Sequence, residues 1–178
     1  LLEASDRRCI DQIAVIAAAL SIRDPRERPL EKAAEADRMH SQFDDPASDF
    51  TTLLNIWNRY HAQRQKVKCN NQMKKFCRDH YLSFKRMREW GDIHSQIMSI
   101  LKEHRMGNGQ GGRRKVEEGM RPAELMESGN LQISAAQYER IHKAVLSGFL
   151  SNIAMRKDKN IFRAGKGKDV MIFPGSAL

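Results

Sequence analysis

A chain of 178 residues with 40% hydrophobic and 30% charged side chains has the composition of a water-soluble globular protein, long enough for one domain or for one domain and part of a second. No apolar run approaches the roughly 20 residues that cross a bilayer, so no membrane span is expected. The net charge of +9 is uneven: between Arg59 and Lys115 fifteen Lys and Arg stand against four acids, a local charge of +11. Concentrated positive charge favours polyanionic partners through counterion release and steering, and a plain solvated helix face is the competing explanation.

The opening Leu-Leu-Glu-Ala-Ser has neither an initiator Met nor the basic and small-residue features of a secretory signal, and is expected to lie inside a longer chain. Leu2, Ile10, Ile13, Ile16, Ala17 and Leu20 recur at near-helical intervals. They predict a short helix, a turn over Ser5 to Arg8, and a second helix to about Ser21. Pro25 and Pro29 fix φ and remove two donors, so the chain must turn there. An Ala-rich stretch from about Leu30 to Phe43 can be helical, and Asp44-Asp45-Pro46 ends it. Ser48 and Asp49 suit the N-cap of a further helix, in which Phe50, Leu53, Leu54, Trp57, Tyr60 and His61 form one stripe, read as buried.

Asn70 and Asn71 are candidate caps for a short helix carrying Met73, Phe76 and Cys77. Ser83 is a candidate cap for a long one with Met87, Trp90, Ile93, Ile97, Ile100 and Leu101 on its apolar side. The glycine-rich Gly107 to Gly112 opens a poorly periodic stretch, about 106–131, expected to be a mobile insertion. Tyr138, Ile141, Val145, Phe149 and Ile153 mark another helix. Ile161 to Arg163 and Val170 to Phe173 read as strands around Gly165 to Lys168, so a second, incomplete domain is expected to begin there.

Few residues invite catalysis. Gly107 to Gly112 follows a helix and lacks the Lys-Ser/Thr of a phosphate-binding loop, so a nucleotide role is disfavoured. The six histidines form no metal-binding spacing, and Asp44, Asp45 and Asp49 are explained by their proline and cap context. Cys9, Cys69 and Cys77 cannot all pair and have no zinc spacing, which favours a reducing cytoplasm. No catalytic and no metal residue is therefore assigned. The group that stands out is Lys85-Arg86-Met87-Arg88 after Ser83: a helix start offers free N–H groups to phosphate, and basic side chains there oppose the helix dipole. Tyr81, at the same junction, is open to base stacking; Trp57 and Trp90, at helical spacing, read as core.

Four stretches in order make a family resemblance: Ala18–Pro29 with its Asp-Pro-Arg-Glu-Arg-Pro, Ser48–Asn58, Phe76–Trp90 ending Arg-Glu-Trp, and Ile172–Leu178. They resemble the C-terminal region of bacterial DEAH-box RNA helicases. The resemblance implies a mainly α fold: residues 1–8 as the end of a winged helix, 9–154 as a ratchet-like helical bundle, and 155–178 as the opening hairpin of an OB-fold. It implies single-stranded RNA as a partner, contacted by Ser83, Lys85, Arg86 and Arg88. RecA-like motor domains of the same longer chain would be the other partner, with ATP and Mg bound there. The motor motifs Gly-Lys-Thr/Ser and Asp-Glu-Ala-His are absent here, so no ATPase activity is expected of this chain alone. The alternative is a helical module that docks an acidic protein partner on its basic face.

Overall fold

A computed structural model describes residues 1–104, 133–173, 175–176 and 178; the expected insertion at about 106–131, with its glycine-rich start, lies outside them. Among the described residues seven α-helices are followed by a small antiparallel sheet. The helices are α1 (Leu2–Asp6), α2 (Ile10–Leu20), α3 (Ala33–His40), α4 (Asp49–Lys66), α5 (Asn70–Asp79), α6 (Phe84–Glu103) and α7 (Ala135–Gly148). No helix among the described residues is long and apolar enough to cross a membrane.

The bundle is built around α2. Ile10, Ile13, Ala14, Val15, Ile16, Ala18 and Ala19 are all buried, which covers nearly the whole circumference of the helix, and such a helix belongs at the centre of a fold. Its alanines let neighbours approach closely: α4, α6 and α7 pack on it, and α1 packs on α7. Trp90 of α6 is fully buried, and its Nε1–H donates to the Val15 carbonyl at 2.9 Å. This satisfies the one polar atom of the largest core side chain. Trp57 of α4 meets Trp90 with ring centroids 5.1 Å apart. Both tryptophans are thus core, as their spacing predicts.

Ser48 caps α4, its Oγ accepting from the Thr51 N–H at 3.3 Å. The buried side of α4 differs from the expected stripe: Leu54, Trp57 and Tyr60 are buried, but so are Thr51, Thr52, Asn55 and Ile56. Thr52 and Asn55 are tolerated there because each is hydrogen-bonded, Asn55 Nδ2 donating to the Phe43 carbonyl at 2.9 Å and Thr52 Oγ1 accepting from the Asp45 N–H at 2.9 Å. The cap of α5 is Cys69, not Asn70 or Asn71. Ile100 is more than half exposed, although its neighbour Leu101 is buried in the core.

The C-terminal region also departs from expectation. The α7 helix stops at Gly148, so Phe149 and Ile153 fall outside it, on either side of a 3-10 turn over Leu150–Asn152. Three strands follow where two were expected: β1 (Ala154–Asp158), β2 (Ile161–Ala164) and β3 (Asp169–Met171), in the order β1-β2-β3. Charged Met155-Arg-Lys-Asp158 hides β1 from a hydrophobic pattern. The sheet makes its extensive contacts within itself. The tail after it reaches the bundle, where Ser176 Oγ donates to Asp49 Oδ2 at 2.6 Å and the Gly175 carbonyl accepts from Arg26 Nη1 at 3.2 Å.

Candidate nucleic-acid interface

The two prolines do more than break a helix. The segment between them pairs with the residues ahead of α6: Glu27 N–H donates to the Tyr81 carbonyl at 2.7 Å and Ser83 N–H to the Pro25 carbonyl at 2.8 Å, around an Arg26–Leu82 bridge. Tyr81 sits at φ 52°, a left-handed conformation that costs a non-glycine residue about 1–2 kcal/mol. It is held there because its carbonyl accepts both from Glu27 and from His40 Nε2, the latter at 3.0 Å. The junction in front of α6 is therefore a fixed corner. Arg26, on its other side, forms a two-toothed pair with Asp24, Nε donating to Oδ1 and Nη2 to Oδ2, and that pair holds the Asp24 carboxyl below its ordinary range despite partial burial.

Ser83 occupies the N-cap position of α6, but its side chain makes no capping hydrogen bond. Lys85 and Arg88 are exposed and Arg86 is half-buried. At about 100° per residue, Lys85 and Arg88 lie roughly 60° apart on the helix, whereas Arg86 and Arg88 are about 160° apart. Arg86 turns the other way, Nη1 donating to the Asp24 carbonyl at 2.8 Å. The structure thus brings Lys85 and Arg88 together and directs Arg86 to the proline corner. Tyr81 lies beside the Glu35 carboxylate, which together with burial raises its pKa.

Beside Arg88 opens a cleft of about 340 Å³ between α4 and α6, lined by Tyr60, His61, Arg64, Phe84, Arg88 and Gly91 among others. Arg64 Nη1 donates to Asn70 Oδ1 at 2.9 Å, and Lys74 Nζ lies 6.0 Å from the Phe84 ring centroid. Burial raises the Tyr60 pKa, while the positive charges of Arg64 and Arg88 pull it down. In the wall of the cleft, the His61 ring packs tilted against Trp57 with centroids 4.1 Å apart. Burial, with a smaller contribution from His94, lowers its pKa to about 4. Sequence reasoning named Arg88 but missed this cleft. The basic residues were legible, but the meeting of α4 and α6 that joins them to aromatic walls is a tertiary fact.

One further pair has the look of chemistry. Ser48 Oγ and His142 Nε2 are 2.7 Å apart, and His142 Nδ1–H donates to the Tyr138 carbonyl at 2.8 Å, which leaves Nε2 as the acceptor of the serine proton. A nucleophile and base would be arranged in this way. Ser48, however, is only 3% exposed and is already the cap of α4, so the pair is a clasp between α4 and α7. Among the described residues no cluster of His, Cys, Asp or Glu could hold a metal ion, and all three cysteines are free thiols. The sequence contains no Gly-Lys-Thr/Ser and no Asp-Glu-Ala-His motif.

Comparison with known proteins gives the family. Residues 1–83 match the family described as "Helicase associated domain (HA2), ratchet-like". Over 179 aligned residues, covering 100% of this chain, the sequence is 36% identical to the ATP-dependent RNA helicase HrpA of Escherichia coli (strain K12). It is 35% identical over the same span to the HrpA homolog of Haemophilus influenzae. The pre-mRNA-splicing factor ATP-dependent RNA helicase prp22 of Schizosaccharomyces pombe is 28% identical over 88% of this chain. The chain spans 12% of the length of each of the two bacterial relatives and 11% of the yeast one. Residues 1–83 thus carry the match to the ratchet-like helicase-associated (HA2) family, and the chain is similar over its whole length to one region of the HrpA RNA helicases.

Proposed function

We propose that this chain is the accessory region of a cytoplasmic ATP-dependent RNA helicase, and that it grips the backbone of single-stranded RNA while motor domains of the same longer chain do the stepping. The observation that carries this reading is the pair of exposed cations, Lys85 and Arg88, at the rigid start of α6, in a chain similar throughout to RNA helicases. A fixed corner suits a ratchet: a phosphate held there keeps its place relative to the bundle. ATP and Mg act at the RecA-like motors, and this chain contributes no residue to ATP turnover. Residues 1–8 are the end of a winged helix, and 155–178 open an OB-fold. The exposed apolar residues of the sheet, Met155, Val170 and Met171, with Phe173 just past it, are what the first strands of a barrel would present to the rest of it.

Replacing Lys85, Arg86 and Arg88 together with Ala tests the reading by salt titration of binding to a single-stranded RNA oligomer. Each phosphate contact contributes about 0.7 to the log-log slope for a single strand, so the loss of three lowers it by about 2. Lys85→Ala with Arg88→Ala accounts for about 1.4 of this; Arg86 supplies the remainder through the guanidinium donors left over from its bond to the Asp24 carbonyl. Binding equal to the parent's across the titration would sink the assignment. Equal loss of binding to polyglutamate would instead favour an acidic protein partner.

A further inference from the structure

The cleft between α4 and α6 contains a vacancy that packing does not explain. Gly91 lies in the middle of α6, where glycine weakens a helix. A helix usually keeps such a residue where another backbone approaches closely. Here a Cβ added at Gly91 would meet nothing within 4 Å. The residues of α6 that line the cleft, Phe84, Met87, Arg88 and Gly91, follow the spacing of a single helix face, so a side chain at 91 would project into the cleft. The missing side chain keeps that space open at some cost to the helix.

The walls indicate what the space accepts. Two guanidiniums, Arg64 and Arg88, line it, and no carboxylate does. Arg64 is exposed, and its bond to Asn70 uses only one of its five donors. Phe84 offers an aromatic surface near a third cation, Lys74. Guanidiniums recognise phosphate, and an aromatic ring stacks on a nucleobase regardless of its identity. A cleft of about 340 Å³ is at the small end of the range for bound small ligands, roughly 300–1,000 Å³. Lys85, beside Arg88 on the helix, continues the charge outward.

We propose that this cleft is a subsite for one nucleotide of single-stranded RNA, its phosphate held by Arg64 and Arg88, its base laid against Phe84 in the space that Gly91 leaves open. The subsite rests on the RNA-binding function proposed above and adds a stacked base to a grip on the backbone. Base stacking tolerates any sequence, so it strengthens the hold without restricting which RNA is gripped.

The test uses the 178-residue chain, a labelled single-stranded oligouridylate, and three variants whose folding is checked by thermal melting. Gly91→Leu fills the cleft and places a better helix former in α6, so it folds. It is expected to weaken binding roughly ten-fold, the loss of one stacked base. Arg64→Ala is expected to lower the salt slope by about 0.7. Lys85→Ala, outside the cleft, reports on the α6 start alone. If Lys85→Ala weakens binding while Gly91→Leu and Arg64→Ala match the parent, the nucleotide subsite is wrong and the wider reading stands. If none of the three changes binding, the RNA-binding function itself fails. If Gly91→Leu weakens polyglutamate binding as much as oligouridylate binding, the cleft is not a nucleotide subsite.

Discussion

Seven of the eleven residues of α2 are buried, whereas no residue of β1, β2 or β3 is. The bundle closes on itself through Trp90, Trp57 and a central helix with almost no exposed side. The sheet is held by its own ladder, by Asp169 with Lys157 and Arg163, and by the tail that reaches Arg26 and Asp49. The contrast teaches where stability resides: hydrophobic burial scales with area removed from water, and the sheet removes little. Surface ion pairs such as those of Asp169 are each worth about 0–1 kcal/mol.

The sharpest way to break this comparison is at its centre. Trp90→Ala removes the largest buried side chain and leaves a cavity among α2, α4 and α6, which costs about 3–5 kcal/mol. Urea denaturation reads this as a lower midpoint; a loss below about 1 kcal/mol would show that the core does not depend on it. Next comes pH. His61 has its folded pKa lowered from 6.5 to about 4, so the unfolded chain takes up the proton first. The stability that neutral His61 contributes is complete above about pH 6.5 and is lost as pH falls toward 4, about 3 kcal/mol in all. Burial lowers His80 and His94 as well, so they act in the same direction. His61→Phe therefore flattens the acid limb without abolishing it, and parallel pH curves for the two proteins would contradict the assignment. The smallest effect belongs to the sheet. Met171→Lys, at a residue that is 71% exposed, is expected to shift stability by no more than about 0.5 kcal/mol, and a large drop would place β3 inside the core.

Periodicity made α2, α4, α6 and the first part of α7 legible, because their buried residues repeat at helical intervals; α1 buries only Ala4, and Leu2, the residue that suggested it, is exposed. Ser48 announced its own cap. The buried Thr52 and Asn55 were not legible, since only the fold supplies the Asp45 and Phe43 partners that make them tolerable inside. Strand β1 was hidden because its residues are polar on both faces. Of the candidate site, Lys85, Arg86 and Arg88 were visible as charge, yet the string of basic residues carried no sign that Arg86 turns to Asp24 while Arg88 turns to a cleft. Arg64 and Gly91 contribute to that cleft from elsewhere in the chain, and neither belongs to a motif that sequence reading looks for.

The clasp of α7 sets the holding of that helix apart from the holding of α6. Ser48 holds His142, the Ala47 carbonyl accepts from Tyr138 at 2.8 Å, and α1 and α2 pack along the same helix, whereas α6 is fixed to α2 through Trp90 and the Val15 carbonyl. A change at the clasp therefore acts on α7 and on the start of α4, and leaves in place the α6 residues that carry the proposed grip.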